Sequence, residues 1–152
     1  MRRSENQVLQ SAKLARDQGE RLDLSGRNLS GLGLYGADLR GADLREADLT
    51  STVLTRAKLA GADLSRARLV GASLGQADLT GAALNDAVLF GATLRRASLE
   101  GAVLRDAHLE GADLRHTDLG QVDLRGAVYD PYTVWPIGFD PEAAGAVFEI
   151  SS

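Results

Sequence analysis

One residue recurs in this chain with a regularity that excludes most folds. From Leu24 to Leu124 every fifth position is leucine, and the register ends where the next step meets Tyr129. Two residues before each leucine, from Ala37 to Ala127, stands Ala, except at Thr52, Thr117 and Val122. A period of five is neither the 3.6 of a helix nor the 2 of a plain strand. In an α-helix each step of five would advance by a net turn of about 140°, so the leucines would spread round the cylinder. Ala and Leu, two apart, instead share one side of a short extended segment. The other residues of the unit must then turn a corner. Short sides joined by regular corners make a coil, and stacked coils bury a continuous leucine column. That architecture is an all-β solenoid.

The corner residues narrow it further. The second residue after Leu is Gly at positions 31, 41, 61, 71, 81, 91, 101 and 111, and another type at 46, 56, 66, 76, 86, 96, 106 and 116. A type II turn favours Gly at its third residue, where φ is positive. The alternation reads as two kinds of corner and an even number of sides, and four sides give 20 residues per coil. Leu24, Leu44, Leu64, Leu84, Leu104 and Leu124 then form one column of the core.

The segments outside the repeats read as ends for the stack, which would otherwise expose unpaired backbone. Residues 4–18 have a helix pattern, with Ser4 as N-cap, Gln7 three positions on, Val8, Ala12 and Ala15 on one face and Gly19 as a stop. Segment 1–21 is therefore expected to be a helical cap, 22–129 the repeats and 130–152 a tail, all in one structural domain. Arg27 stands at an inward position of the first coil, and Leu22 and Leu32 enlarge it. The tail holds the single Trp and all three Pro. Asp140-Pro141 looks like the start of a short helix. Trp135, Phe139 and Phe148 either plug the last leucine layer or form a homodimer interface, leaving monomer and tail-mediated dimer both open.

The tandem unit A-(D/N)-L-x-x over residues 22–129 resembles the pentapeptide repeat family. The resemblance implies a right-handed quadrilateral β-helix, here of about five coils. The tail string W-P-x-G-F-D-P is similar to tails of bacterial members. Some members resemble B-form DNA in width and charge and bind DNA gyrase, inhibiting it or protecting it from quinolone-type poisons. Those that protect use projecting loops, which this unbroken repeat array lacks.

Chemistry is sparse. The absence of Cys excludes disulfides, zinc ribbons and thiol nucleophiles. His108 and His116 fall at outward positions on different sides, so no catalytic residues, metal or cofactor are expected. The net charge of −4 speaks against direct nucleic-acid binding. The first ten residues lack the apolar run of a secretory signal and no stretch suits a membrane span, so a cytoplasmic protein without membrane contact is expected. Function must then reside in the outward side chains. Two adjoining sides are acidic, with Asp23, Asp43 and Asp63 on one and Asp38, Asp78 and Asp118 on the other. A third side is basic, with Arg56, Arg95, Arg96 and Arg115, and the fourth bears the apolar group Val70, Val88 and Phe90. The expected function is a non-enzymatic interaction or scaffold module for a protein partner not identified by sequence. The alternative is a DNA mimic acting on gyrase.

Overall fold

In the computed structural model, which describes residues 4–150, the residue before each leucine pairs in parallel with its counterpart 20 positions on. Asp23 pairs with Asp43, Asp38 with Lys58, Val53 with Ser73 and Arg68 with Val88. Four five-residue units thus separate stacked partners, one unit for each side of the coil. The column Leu24, Leu44, Leu64, Leu84, Leu104 and Leu124 is buried, and the inward alanines lie buried beside it.

Nearly every backbone N–H in a unit has a fixed destination. In the unit 37–41, Leu39 N–H and Gly41 N–H donate to the Lys58 and Ala60 carbonyls of the next coil. One coil further on, Lys58 N–H donates back to Ala37. The N–H of the next inward residue, Ala42, closes the corner on the Leu39 carbonyl. That leaves the amide after each leucine, and where an Asp or Asn stands before the leucine its side chain accepts it. Arg40 donates to Asp38, Ser65 to Asp63, Thr80 to Asp78 and Ser30 to Asn28. The Asp of the motif is therefore a turn residue, since short carboxylates and amides readily bond the backbone two residues on.

The structure corrects the reading of two corner types. Gly41, Glu46, Ser51, Arg56 and Gly61 all have φ between 56° and 68°, and the other corners through His116 match them. There is one corner geometry, and Gly is only its least strained occupant. What alternates is the decoration. Two opposite edges of the coil are lined mainly by Gly, and the other two carry side chains.

The inward position decides how well a corner closes. Where Ala follows, the closing bond measures 2.9–3.2 Å; at Leu32, Thr117 and Val122 it measures 3.3 Å. Thr52 is accommodated because its hydroxyl donates to the Leu29 carbonyl at 2.8 Å. Thr117 and Val122 flank the same leucine, Leu119, and there the ladder opens. Neither Leu99 N–H to Asp118 nor Asp118 N–H to Ala97 is formed, although both bonds exist one coil earlier between 77–79 and 98. Gln121 lacks the left-handed corner conformation, and Gly101 N–H donates to Gln121 rather than Gly120.

Helix α1 (Glu5–Asp17) has a capping box between Ser4 and Gln7 and buries Val8, Ala12 and Ala15. Glu5 accepts from Gly33 N–H at 2.7 Å, and Arg16 donates to the Asp38 carbonyl at 3.0 Å, fixing the helix to the first coil. At the other end the stacking does not stop at Tyr129. Asp113 pairs with Val134, one residue beyond the regular spacing, and strand β1 (Val128–Tyr129) pairs in parallel with β2 (Val147–Phe148). Asp130 absorbs the extra residue: its side chain accepts from Gly111, Tyr132 and Thr133 amides. The short helix expected from Asp140-Pro141 is absent. Asp140 accepts from Ala143 N–H and the chain makes one irregular turn before Ala146 N–H returns to the Pro141 carbonyl. Residues 1–3 of the expected cap and 151–152 of the tail lie outside the described residues. No helix among the described residues is long and apolar enough to cross a membrane.

Two substitutions separate core from corner. Leu79→Ala, at a fully buried site, is expected to cost about 2–5 kcal/mol in chemical denaturation, and Leu79→Asp more. Gly81 has φ 65° with nothing within 4 Å of an added Cβ. Gly81→Ala should therefore show the backbone strain alone, about 1 kcal/mol.

Candidate interaction surfaces

The acidic residues on the two adjoining sides are largely engaged. Asp38 receives a two-pronged grip from Arg40, with bonds of 2.8 and 2.7 Å, and Arg16 of α1 stands 3.6 Å away. Asp43 is held in the same way by Arg45, at 2.9 and 2.6 Å. These hydrogen bonds, with the adjacent positive charge, hold both carboxyls down at about 2. Asp23 is lowered mainly by the Ser25 hydroxyl. Asp63 accepts from Ser65 N–H and lies 3.9 Å from Arg45. Asp78 and Asp118 each accept from the backbone two residues on and make no ion pair among the described residues. The six acidic positions do not form a uniform negative face, because at Asp38 and Asp43 the arginine two residues on is folded onto the carboxylate.

The basic side divides similarly. Arg115 forks onto Asp113 at 2.9 and 2.7 Å, with Arg95 3.9 Å from the same carboxylate. Arg56 donates to Gln76 at 2.6 Å. Arg96 has no ion-pair partner among the described residues. Arg56, Gln76, Arg96 and His116 occupy one of the two decorated edges, in a file 20 residues apart.

The apolar side is longer than its sequence spacing suggests. Val70 and Val88 are half-buried and Phe90 is 42% exposed. The His108 ring meets Phe90 edge-on at 5.6 Å. The same file of stacked partners continues from Val88 through His108 and Val128 to Val147. Beside it, one Glu110 carboxylate oxygen stands 3.4 Å from His108 Nδ1, while its other oxygen is buried without a hydrogen-bond partner among the described residues.

The three tail aromatics differ. Trp135 and Phe139 are half-buried against the core and stack at 5.3 Å. Phe148 is exposed on the last strand, meeting Tyr129 edge-on at 5.4 Å. Phe148 thus extends the stack as a further layer, with its own outer surface open. Sequence reasoning missed the opening at Asp118. It is a surface cleft of about 500 Å³ lined by Arg96, Ser98, Glu100, His116, Asp118 and Gln121. Its signal was present in the two departures from Ala, Thr117 and Val122.

The family model for pentapeptide repeats matches this chain in eight copies, in overlapping segments from residue 21 to 128. The crystal structure of HetL, a pentapeptide repeat protein involved in heterocyst differentiation regulation from Nostoc sp. strain PCC 7120, is 30% identical, with a TM-score of 0.56. The match covers 71% of this chain and 63% of HetL, so the chain spans less than two thirds of that protein. Rfr23, a pentapeptide repeat protein of the cyanobacterium Cyanothece 51142, is 29% identical over 87% of this chain and 99% of its own, with a TM-score of 0.57. Trypsin-treated QnrB1, a plasmid-mediated fluoroquinolone resistance protein, is similar in fold, with a TM-score of 0.65. It is 16% identical over 87% of this chain and 67% of its own. No curated protein matches the chain.

The clamped carboxylates give the rod an acid limb. An unfolded Asp titrates near 3.9, whereas Asp38 and Asp43 titrate at about 2 in the fold. Their contribution is present in full above about pH 4 and is lost as pH falls towards 2. Urea denaturation over that window should show stability falling with acid, and Arg45→Met should flatten part of the fall.

Proposed function

Because the chain belongs to the pentapeptide repeat family, we propose that it is a non-enzymatic protein-interaction module. In this reading it is a right-handed quadrilateral β-helix of about five coils, with α1 and the aromatic tail as its ends, acting in the cytoplasm. The apolar side carries the proposal. Val70, Val88 and Phe90 lie on successive coils of one side, where a charged or polar solvated ladder would otherwise stand. Beyond His108 and Glu110, Val128 and Val147 continue the same file of stacked partners. An exposed apolar cluster on the side of a rod marks a contact site, and an aromatic at its centre is a common anchor. Repetition makes this surface flat and stiff, which suits a partner that presents a complementary face.

The partner is expected to be a protein, and Phe90 its anchor. A photo-crosslinking residue at position 90, introduced in cells, should trap a discrete set of proteins. The same residue at Ser25, on another side, should not. Phe90→Glu should lose those partners while melting with the wild type. Retention of every partner by Phe90→Glu would show that this strip is not the docking surface.

A second reading, the gyrase-directed DNA mimic, draws on the fold likeness to QnrB1 and on the unpaired carboxylates of Asp78 and Asp118. Opposing it are the Arg-clamped Asp38 and Asp43, which quench the field of the acidic sides at short range. A supercoiling assay with purified gyrase and a quinolone decides. Protection that disappears in Asp78→Lys/Asp118→Lys would favour mimicry, and no effect of the wild type in large excess would remove it.

A further inference from the structure

We propose that the pocket beside Trp135 captures the C-terminal residue of a partner chain, its apolar side chain against Trp135 and its carboxylate on Arg96 and His116. The proposal rests on reading the rod as an interaction module, and it assigns a second contact to the basic side, apart from the Phe90 strip.

The first argument is shape. Val134, stacked on Asp113, is followed by Trp135, Pro136 and Ile137, and these four enclose a pocket of about 240 Å³ with Arg115 and His116. Apart from Arg115 and His116, its lining is apolar. Trp135 is a fixed wall, because it stacks on Phe139 at 5.3 Å and meets Tyr129 edge-on at 5.4 Å. Val134 is 40% exposed and Ile137 stands wholly exposed at the rim. Together with Trp135 they make an open apolar cluster of the kind that marks a contact. The volume falls below the roughly 300–1,000 Å³ of pockets that enclose a whole small ligand. It suits a single side chain of a longer occupant.

The second argument is charge. Arg96 and His116 hold the same corner on successive coils, with φ of 60° and 64°, and the Arg96 N–H donates to the Arg115 carbonyl. Stacked corners lie about 4.8 Å apart, so one carboxylate reaches both side chains. Both are exposed, and neither makes a side-chain hydrogen bond or ion pair among the described residues. Arg95 and Arg115 differ, since both stand on Asp113. His116 lines the Trp135 pocket and also the polar cleft that holds Arg96, so the free cations begin where the apolar pocket ends. The carboxylates of that cleft are directed elsewhere. Asp118 is turned to the Gly120 amide at 3.0 Å, and Glu100 stands at the other end of side 97–100. An occupant must therefore carry an anion directly beside an apolar side chain. A C-terminal residue does so, because its carboxylate and its side chain leave the same Cα. An internal Asp or Glu places the charge on a different residue. Arginine makes strong charge-assisted hydrogen bonds to a carboxylate, and capture of a terminal carboxylate is an established mode of peptide recognition.

The test titrates the full chain, labelled with ¹⁵N, with three N-acetylated tetrapeptides. One is Gly-Ser-Gly-Leu with a free carboxylate, the second is the same sequence as an amide, and the third ends in Ser with a free carboxylate. Trp135 is the single Trp, so one indole N–H resonance reports on the pocket wall. The Leu acid should shift that resonance and the Arg96, His116 and Ile137 amides saturably, while the Ser25 amide stays in place. The Leu amide and the Ser acid should each bind about tenfold more weakly, a difference of about 1.4 kcal/mol. Arg96→Gln/His116→Gln puts at both corners the residue that the same file already holds at Gln76, with φ 58°. That variant should melt with the wild type and bind the Leu acid no better than the amide. Ile137→Ser should narrow the gap between the Leu and Ser acids. No shift at Trp135, equal binding of acid and amide, equal binding of the Leu and Ser acids, or a preference for the acid that survives in the double variant would each overturn the proposal. Crosslinking at position 90 reads the other surface, so failure here and failure of the Phe90 strip are told apart.

Discussion

The rod depends on a corner that admits little more than a methyl group. After each leucine the chain passes through a residue at positive φ and turns back on the leucine carbonyl, and the next inward side chain lies against the core at that bend. Ala fits and the closing bond stays short. A larger group lengthens it, as at Leu32, Thr117 and Val122. One isolated enlargement is tolerated when its own polar atom finds a carbonyl, as Thr52 does at Leu29 and Thr133 at Leu109. In the first coil Leu22, Arg27 and Leu32 follow one another with the ladder intact, whereas the ladder opens between Thr117 and Val122, where both neighbours are complete coils or tail. The same constraint accounts for the monotony of the sequence between the two ends.

The second economy concerns the amide that the coil cannot pair. Asp or Asn before the leucine accepts it, and where an Arg follows the leucine its guanidinium closes on the same carboxylate. A charge that looks available in sequence is thereby spent in the turn. Acidic residues at this position report first on backbone satisfaction and only second on surface potential. Asp78 and Asp118, with Thr80 and Gly120 two positions on, escape the clamp because no Arg stands there.

Much of the architecture was legible. The five-residue period, the inward Ala and the capping box of α1 each tie a residue type to one geometric need, so the solenoid and its helix could be read directly. The alternation of Gly suggests two corner geometries only if Gly is a geometric requirement, and it is not. The coil instead holds Glu46, Arg56 and Asp86 at the same φ and absorbs the strain through the ladder on both sides. In the tail, Asp140-Pro141 carries the local signal of a helix that does not form. The exposed backbone of the last coil has a stronger claim on the segment, and it draws Val147–Phe148 into parallel pairing. The surface was the least legible part. Which carboxylates are clamped, and where the coil parts, depend on neighbours one coil away rather than on the local string.

A column of side chains here is an address written in multiples of 20 residues, with Val88, His108 and Val128 as one example. Inserting or deleting four units lengthens or shortens the rod while leaving every column aligned. Inserting a single unit turns everything downstream by a quarter of the coil, so that, placed before Leu64, it would carry Phe90 to the neighbouring side while every leucine stayed buried. Core and surface thus obey different arithmetic. The core counts in fives and accepts any number of units, whereas a binding face survives only changes in length that complete a coil.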